Sequence, residues 1–366
     1  MPIDPVTPAD SQSSGTSREL DERANGNTWE AASSREGELD KRSHPFDALA
    51  PDRVVAAVES LGFWLPGEPF ALNSYENRVY HLADDDRRRW VAKFYRPDRW
   101  SRAQILEEHA FLAELEAEGV PGAPAWADAK GETLHHHEGF DFALFPHVVG
   151  RAPELESPEH LYHLGELIGR VHAVGRQGLF QERETLTPLR ILDESRDSVL
   201  ASDWLSERQS ESYQRVIEAL RPLVAEQSWP QSGLLRAHGD CHIGNMLGRD
   251  DSFALVDFDD CLNAPAIQDL WMLLTGESDP ELHMQLSEVL EGYEQHCDFN
   301  RGELKWIETL RTLRMVRHSA WVVRRWTDPA FPQAFSHVAS LGYWDDHIRS
   351  LEQQRVVLDA PRWLAV

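Results

Sequence analysis

The 366-residue chain predicts an α+β protein of two lobes, an N-terminal antiparallel β-sheet with one inserted helix followed by a larger, mainly helical lobe. Three observations predict it. Between Phe70 and Pro146, short β-prone segments alternate with turns, and a single helical pattern interrupts them. From Ser157 onward, apolar residues recur at helical spacing. One hairpin pattern, between Leu234 and Val256, is the only clear β signal in that second half.

Residues 1 to about 45 are rich in Ser, Glu, Arg, Gly and Asn and poor in aliphatics. Such a segment buries too little apolar surface to offset its ordering entropy and reads as an acidic, disordered tail. Folding begins near Phe46. Val54, Val55, Val58 and Leu61 form a helical stripe after Pro51-Asp52. Strands are expected at Phe70 to Leu72, Arg78 to Leu82 and Trp90 to Tyr95, with Asp84-Asp85-Asp86 as a turn. Ser101 and Gln104 have capping-box spacing and open a helix whose apolar positions are Ile105, Phe111, Leu112 and Leu115. Gly119 stops it. Strands at Glu132 to Leu134 and Phe140 to Pro146 complete a five-stranded lobe over residues 46–148. In the second lobe, 149–366, Leu161, Leu164, Leu167, Ile168 and Val171 make a stripe behind a Ser-Pro start. Further helices are expected around 212–226, 265–275, 281–296, 303–326 and 343–357.

Composition excludes several classes. Hydrophobic content of 41% and 13 Trp suit a packed globule. No apolar run approaches the roughly 18 residues of a membrane-spanning helix, so none is expected, and the polar N-terminus is not expected to act as a signal sequence. Cys241, Cys261 and Cys297 show neither metal nor disulfide spacing, so a reducing, cytoplasmic setting is expected. A net charge of -26 argues against nucleic acid or an anionic membrane as partner.

The chemistry concentrates in His238-Gly239-Asp240-Cys241-His242-Ile243-Gly244-Asn245 and in Asp257, twelve residues after the Asn. Phosphoryl transfer from a nucleotide needs a carboxylate facing the acceptor hydroxyl, and hard oxygen ligands holding a metal against the phosphates. An Asn ligand supplies such an oxygen without adding negative charge. Leu234 to Ala237 reads as a strand running into the loop. Asn245 to Leu247 and Phe253 to Val256 read as a hairpin around Gly248-Arg249-Asp250-Asp251, which returns Asn245 and Asp257 to one end. The chain has 32 Arg but only four Lys, so Lys93, inside the apolar run Trp90 to Tyr95, calls for an explanation. A compact ammonium suits a phosphate contact; a snorkelling strand-edge lysine is the plain alternative.

These residues resemble the aminoglycoside phosphotransferase and choline kinase branch of the protein-kinase-like fold, and within it the stress response kinase A family. The likeness is carried by the His238–Asn245 loop, Leu72-Asn73-Ser74-Tyr75-Glu76-Asn77-Arg78-Val79-Tyr80, Lys93-Phe94-Tyr95-Arg96-Pro97, Ile105-Leu106-Glu107-Glu108-His109, Gln268 to Leu274 and Arg324-Arg325-Trp326. The resemblance implies a monomeric, cytoplasmic Ser/Thr protein kinase that uses ATP with magnesium and acts in the stress response. By position it implies Asp240 as proton acceptor, Asn245 and Asp257 as magnesium ligands, and Lys93 on the α/β-phosphates. Glu108 would pair with Lys93, with Glu107 as runner-up. Ser74 would touch phosphate, and Phe145-Pro146-His147-Val148 would be the hinge meeting adenine. A small-molecule phosphotransferase and a nucleotide-sensing pseudokinase are the rival readings.

The chain also departs from the kinase pattern. The Ser74 loop lacks a Gly-x-Gly-x-x-Gly pattern, and Asp259 stands where Asp-Phe-Gly would have glycine. Asp259 and Asp260 are expected as solvated turn residues, with metal or substrate contact as the alternative. His238 and His242 are expected to brace the loop. His135-His136-His137 is expected as a solvent-facing loop or strand end, with a metal clip as the alternative, and Cys241 as a buried, inert thiol. Asp269 is expected either to cap its helix or to bond back to the loop. Arg317, Arg324 and Arg325 are expected to be solvated or ion-paired, with a substrate-facing role as the alternative.

Overall fold

The computed structural model describes residues 44–227, 229–249, 252–340, 342–358 and Trp363. The expected tail, up to residue 43, and Asp250 and Asp251 of the expected turn lie outside the described residues.

Helix α1 (Pro51–Glu59) places proline in its first turn, where an amide donor has no helical partner to lose. Strands β1 (Phe70–Leu72), β2 (Arg78–Ala83), β3 (Arg89–Phe94), β4 (His135–His137) and β5 (Phe140–Pro146) form one antiparallel sheet ordered β1-β2-β3-β5-β4. Helix α2 (Arg102–Ala117) follows β3 and carries the expected Ser101–Gln104 capping box. Alternation along β3 sorts its side chains to opposite faces. Ala92 and Phe94 pack with Phe142, Leu144 and the α1 residues Val54, Ala57 and Val58. Lys93 faces the other way, opposite Val79 on β2 and Ala143 on β5 in the register.

One strand differs from expectation. β4 begins at His135 rather than at Glu132, because Asp128 Oδ1 accepts the Lys130 and Glu132 amides at 2.8 and 2.9 Å and folds that stretch into a turn. His135 is buried on β4, and the exposed His136 Nδ1 donates to Asp141 Oδ1 at 2.7 Å.

The helical lobe begins with α3 (Pro158–Gly175), whose Ser157 hydroxyl caps the His160 amide. α4 (Pro188–Leu200) is a helix the periodicity did not announce. α5 (Glu207–Glu226) starts earlier than expected, because Ser206 and Gln209 form a full capping box. Strand β6 (Leu235–Ala237) enters the candidate loop, and β7 (Met246–Arg249) and β8 (Ser252–Leu255) make the expected hairpin. β9 (Leu262–Ala264), also not anticipated, pairs antiparallel with β6. The helix expected over 265–275 is only a short α6 (Ile267–Leu270) continued by a tighter turn. α7 (Asp279–Tyr293), α8 (Ile307–Arg325), α9 (Ala330–Ala334) and α10 (Tyr343–Leu358) complete the lobe. α3 and α7 touch at backbone level. A Cβ on Gly292 would sit 1.9 Å from the Tyr162 carbonyl oxygen, so only glycine fits there. No helix among the described residues is long and apolar enough to cross a membrane.

Candidate active site

The loop after β6 is fixed from behind. Gly239 adopts φ +88°, and a Cβ there would lie 2.1 Å from the Asp260 carbonyl oxygen, so both the conformation and the space require glycine. Asp269 accepts the His238 amide at 2.6 Å and the Gly239 amide at 2.9 Å, and its carboxylate also meets His172 Nε2 at 3.0 Å. Of the two roles expected for Asp269, this is the bond back to the loop. Burial would raise its carboxyl, but the hydrogen bonds and the charge of His172 keep it below its ordinary value. His238 braces the loop as expected. Its Nδ1 accepts the Asp240 amide at 3.3 Å and its Nε2 meets the Val256 carbonyl at 3.0 Å. Cys241 is fully buried, and burial pushes its thiol up, away from the reactive thiolate.

The hairpin brings Asn245 and Asp257 to one end, where the Val256 amide donates to the Asn245 carbonyl at 3.0 Å. Asn245 Nδ2 donates to the Asp240 carbonyl at 3.0 Å, which leaves its Oδ1 as an oxygen that could hold a metal ion. Asp257 holds a left-handed conformation, φ 61° and ψ 65°, that an aspartate adopts only at some strain. The donor set offered by Asn245 and Asp257 is all hard oxygen, which fits a magnesium ion and not a soft metal. The Asp240 carboxylate meets His242 Nε2 at 3.3 Å and Arg314 Nη1 at 2.6 Å. Burial alone would raise its carboxyl. The hydrogen bond from His242 and the Arg314 charge outweigh burial and hold it well below the usual carboxylate range.

Lys93 reaches the same cleft from the sheet. Its Nζ lies 2.8 Å from Asp259, 3.0 Å from Asp257 and 3.8 Å from Glu108, and its side chain is only 7% exposed. Burial opposes its charge, but Asp257, Asp259 and Glu108 raise its pKa well above the ordinary lysine value. Of the two candidate partners on α2, Glu108 faces Lys93. Glu107 instead accepts three successive amides, of Gln181, Glu182 and Arg183, at 2.5, 2.9 and 2.7 Å. The closest contact of Glu108 is Arg183, at 2.6 Å.

Asp259 corrects an expectation. It is not a solvated turn residue but is buried, ion-paired to Lys93 and to Arg99 Nη1 at 2.5 Å. Burial would raise its carboxyl; Arg99 and Lys93 hold it well below the usual range. Asp260 pairs with Arg99 at 3.0 Å and Arg317 at 3.5 Å. Arg183 braces this segment by donating to the Asp259 carbonyl at 2.5 Å. Sequence reasoning missed Arg99, Arg183 and Arg314, because arginine is the default cation of this chain and each partner lies far away in sequence.

Ser74, Val79, Val91, Phe145, His147, Val148, Leu247 and Val256 line the other end of this cleft, whose volume is about 1020 Å³. The His147 amide is already bonded to the Arg89 carbonyl at 3.1 Å. The Ser74 loop is fastened to the helical lobe. Tyr75 packs against Trp321, Phe331 and Phe335, with ring centroids 6.0, 5.8 and 5.1 Å away. Glu76 pairs with Arg325 at 3.0 Å and accepts from the Trp321 indole. Asn77 Oδ1 accepts the Arg96 amide at 3.0 Å, and Arg96 pairs with Asp328 at 2.7 Å. Along α8, Arg314, Arg317, Arg324 and Arg325 all line the cleft. The spacing of these positions on one helical face was a signal available in the sequence.

A profile of the phosphotransferase enzyme family matches residues 68–307. A stress response kinase A of Escherichia coli O157:H7 is 40% identical over 323 residues, covering 88% of this chain and 98% of that protein. A serine/threonine protein kinase RdoA of Salmonella typhimurium strain LT2 is 39% identical, with coverage of 88% and 98%. Among solved structures, the amicoumacin kinase hAmiN in complex with AMP-PNP, Ca2+ and Ami aligns with a TM-score of 0.66 at 21% identity, covering 86% of this chain and 96% of that one. A microcompartment-associated aminopropanol kinase aligns with a TM-score of 0.62 at 15% identity, covering 84% and 96%. At those identities the two structures establish the fold alone. With a catalytic-loop pattern seated in a cleft between a five-stranded sheet and a helical lobe, and relatives matched over nearly their full length, the chain belongs to the phosphotransferase enzyme family and, within it, to the stress response kinase A family.

Proposed function

We propose that this kinase transfers the γ-phosphoryl group of ATP, with magnesium, to a Ser or Thr hydroxyl of a protein during a bacterial stress response. The observation that carries the reading is the meeting of Asp240, Asn245, Asp257 and Lys93 in one cleft, although Lys93 comes from the sheet and the others from the helical lobe. The names of the relatives support a protein acceptor and a role in stress. By the same family reading, the kinase acts as a monomer in the cytoplasm.

Adenine would lie among Val79, Val91, Leu247 and Val256, with Phe145 behind it. The His147 amide is engaged by the Arg89 carbonyl, so a backbone amide donor to adenine falls to Val148 or beyond. Ser74 and Lys93 would contact the phosphates. When bound to Asn245 and Asp257, magnesium would neutralise phosphate charge. Asp240 orients the acceptor hydroxyl and takes its proton as the new phosphorus–oxygen bond forms and the bond to the β-phosphate oxygen breaks. Arg314 and His242 keep Asp240 ionised and therefore only weakly basic. That suffices, because in a loose transition state the acceptor proton leaves late.

The test is transfer of labelled phosphate from ATP to proteins of a stressed-cell extract, beside a metabolite panel. Asp240→Ala should lower transfer by roughly 10²- to 10⁴-fold, the usual worth of a positioned base, while nucleotide binding by calorimetry persists. Undiminished transfer in that variant sinks the assignment. Label found only on a metabolite would make the acceptor a small molecule.

A further inference from the structure

The face of α8 that lines the cleft carries Arg314, Arg317, Arg324 and Arg325 in a chain whose net charge is -26. Two of the four are committed. Arg314 holds Asp240 at 2.6 Å, and Arg325 holds Glu76 at 3.0 Å. The other two are only loosely neutralised. Arg317 lies 3.5 Å from Asp260, a carboxylate that Arg99 already takes at 3.0 Å. Arg324 donates to the neutral Ser198 hydroxyl at 2.9 Å. Burial and the nearby charges of Arg325 and Arg317 push the Arg324 guanidinium below its ordinary value, and Glu194 and Glu76 offset only part of this. Like charges therefore face one another at the open side of the cleft, and both side chains are exposed to an incoming molecule. Guanidinium groups placed in this way bind carboxylate or phosphate through paired hydrogen bonds.

Their direct partners, Asp260 and Ser198, also differ from the carboxylates that surround Lys93. Lys93 sits among Asp257, Asp259 and Glu108, whereas Arg317 and Arg324 extend along α8 beyond Arg314, the residue that touches the proton acceptor Asp240. We infer that Arg317 and Arg324 select the acceptor, which is a Ser/Thr-containing peptide segment with acidic residues beside the hydroxyl presented to Asp240. This rests on the protein kinase reading above and adds to it the class of substrate. The overall acidity of the helical lobe suggests a cationic acceptor; the local charge of the cleft rim reverses that.

The experiment uses the full chain with ATP and magnesium and three peptides that share one central serine, flanked by aspartates, by alanines or by lysines. The aspartate peptide should have the highest kcat/KM and the lysine peptide the lowest. An effect of about tenfold per arginine is expected, the lower end for a hydrogen bond to a charged group. Arg317→Gln with Arg324→Gln should erase the preference by raising KM for the aspartate peptide while leaving KM for ATP, measured at saturating peptide, in place. Arg317→Glu should turn the preference toward the lysine peptide. Equal rates on the three peptides overturn the inference and leave the kinase reading standing. A raised KM for ATP with the peptide preference intact also overturns it, by assigning the arginines to the nucleotide. Nucleotide binding with no transfer to any of the peptides overturns the protein acceptor, and this inference with it.

Discussion

The inner and outer halves of the cleft carry the same kinds of charged residue in opposite states. In the inner half, Lys93, Glu108, Arg183 and Asp259 are each at most 7% exposed at the side chain, and each has a partner within 3.0 Å. In the outer half, Arg314 and Arg317 are 47% and 53% exposed, and Arg317 has only a shared carboxylate. A buried ion network is costly to assemble and rigid once complete, whereas exposed arginines contribute little until a partner arrives. On the proposed reading, the difference separates what must be preorganised, the place of the phosphates, from what must adapt, the place of the acceptor.

The largest test of this contrast is stability. Arg183→Met keeps much of the buried stem but leaves Glu108 without its 2.6 Å partner. It should cost about 3 kcal/mol, the lower end for breaking a buried pair, read as a lower urea midpoint. Arg324→Met at the rim should stay within about 0.5 kcal/mol. Similar losses in both would erase the distinction.

A second test is acid stability. Asp259 is held below its ordinary value of 3.8, so its contribution is fully present above pH 3.8 and is lost as pH falls through the lower folded-state value. Asp259→Asn should therefore flatten the decline of stability below pH 3.8. Asp240 is shifted in the same direction, but its partners Arg314 and His242 are 47% and 36% exposed, and solvent screens them. Asp240→Asn should flatten the decline less. Unfolding midpoints measured from pH 2 to pH 6 compare the two.

The smallest expected effect is at the Ser74 loop. Tyr75→Ala removes three aromatic contacts to the helical lobe and should speed nucleotide release by roughly two- to tenfold, the worth of one aromatic pair. Stopped-flow displacement of a fluorescent nucleotide measures it. An unchanged release rate would show that the loop is not fastened by that ring.

Much of this site was legible in the chain because its chemistry is local. Asp240 and Asn245 share one loop, Asp257 closes one hairpin, and the family resemblance ranked Glu108 ahead of Glu107 as the partner of Lys93. The burial of Asp259 was not legible, since it depends on Lys93 from the sheet and Arg99 from the turn after it, both more than a hundred residues earlier. The sheet and most helices followed from alternation and capping residues. β9 did not, because its partner β6 lies across the β7–β8 hairpin. α4 was missed although Thr187-Pro188 offers a start signal, because its polar positions dilute the apolar stripe of Leu192 and Val199.

α8 holds Arg325 and Trp321, which fasten the nucleotide loop, and on the same face Arg317 and Arg324. Two ligands that favour the same seating of one helix cannot bind independently. On the proposed reading, a closed Ser74 loop would steady the helix on which the acceptor docks, and a docked acceptor would steady the loop in return. By thermodynamic reciprocity, the factor by which ATP tightened acceptor binding would equal the factor by which the acceptor tightened ATP binding. The proposed kinase would then have a cooperativity that needs no second subunit.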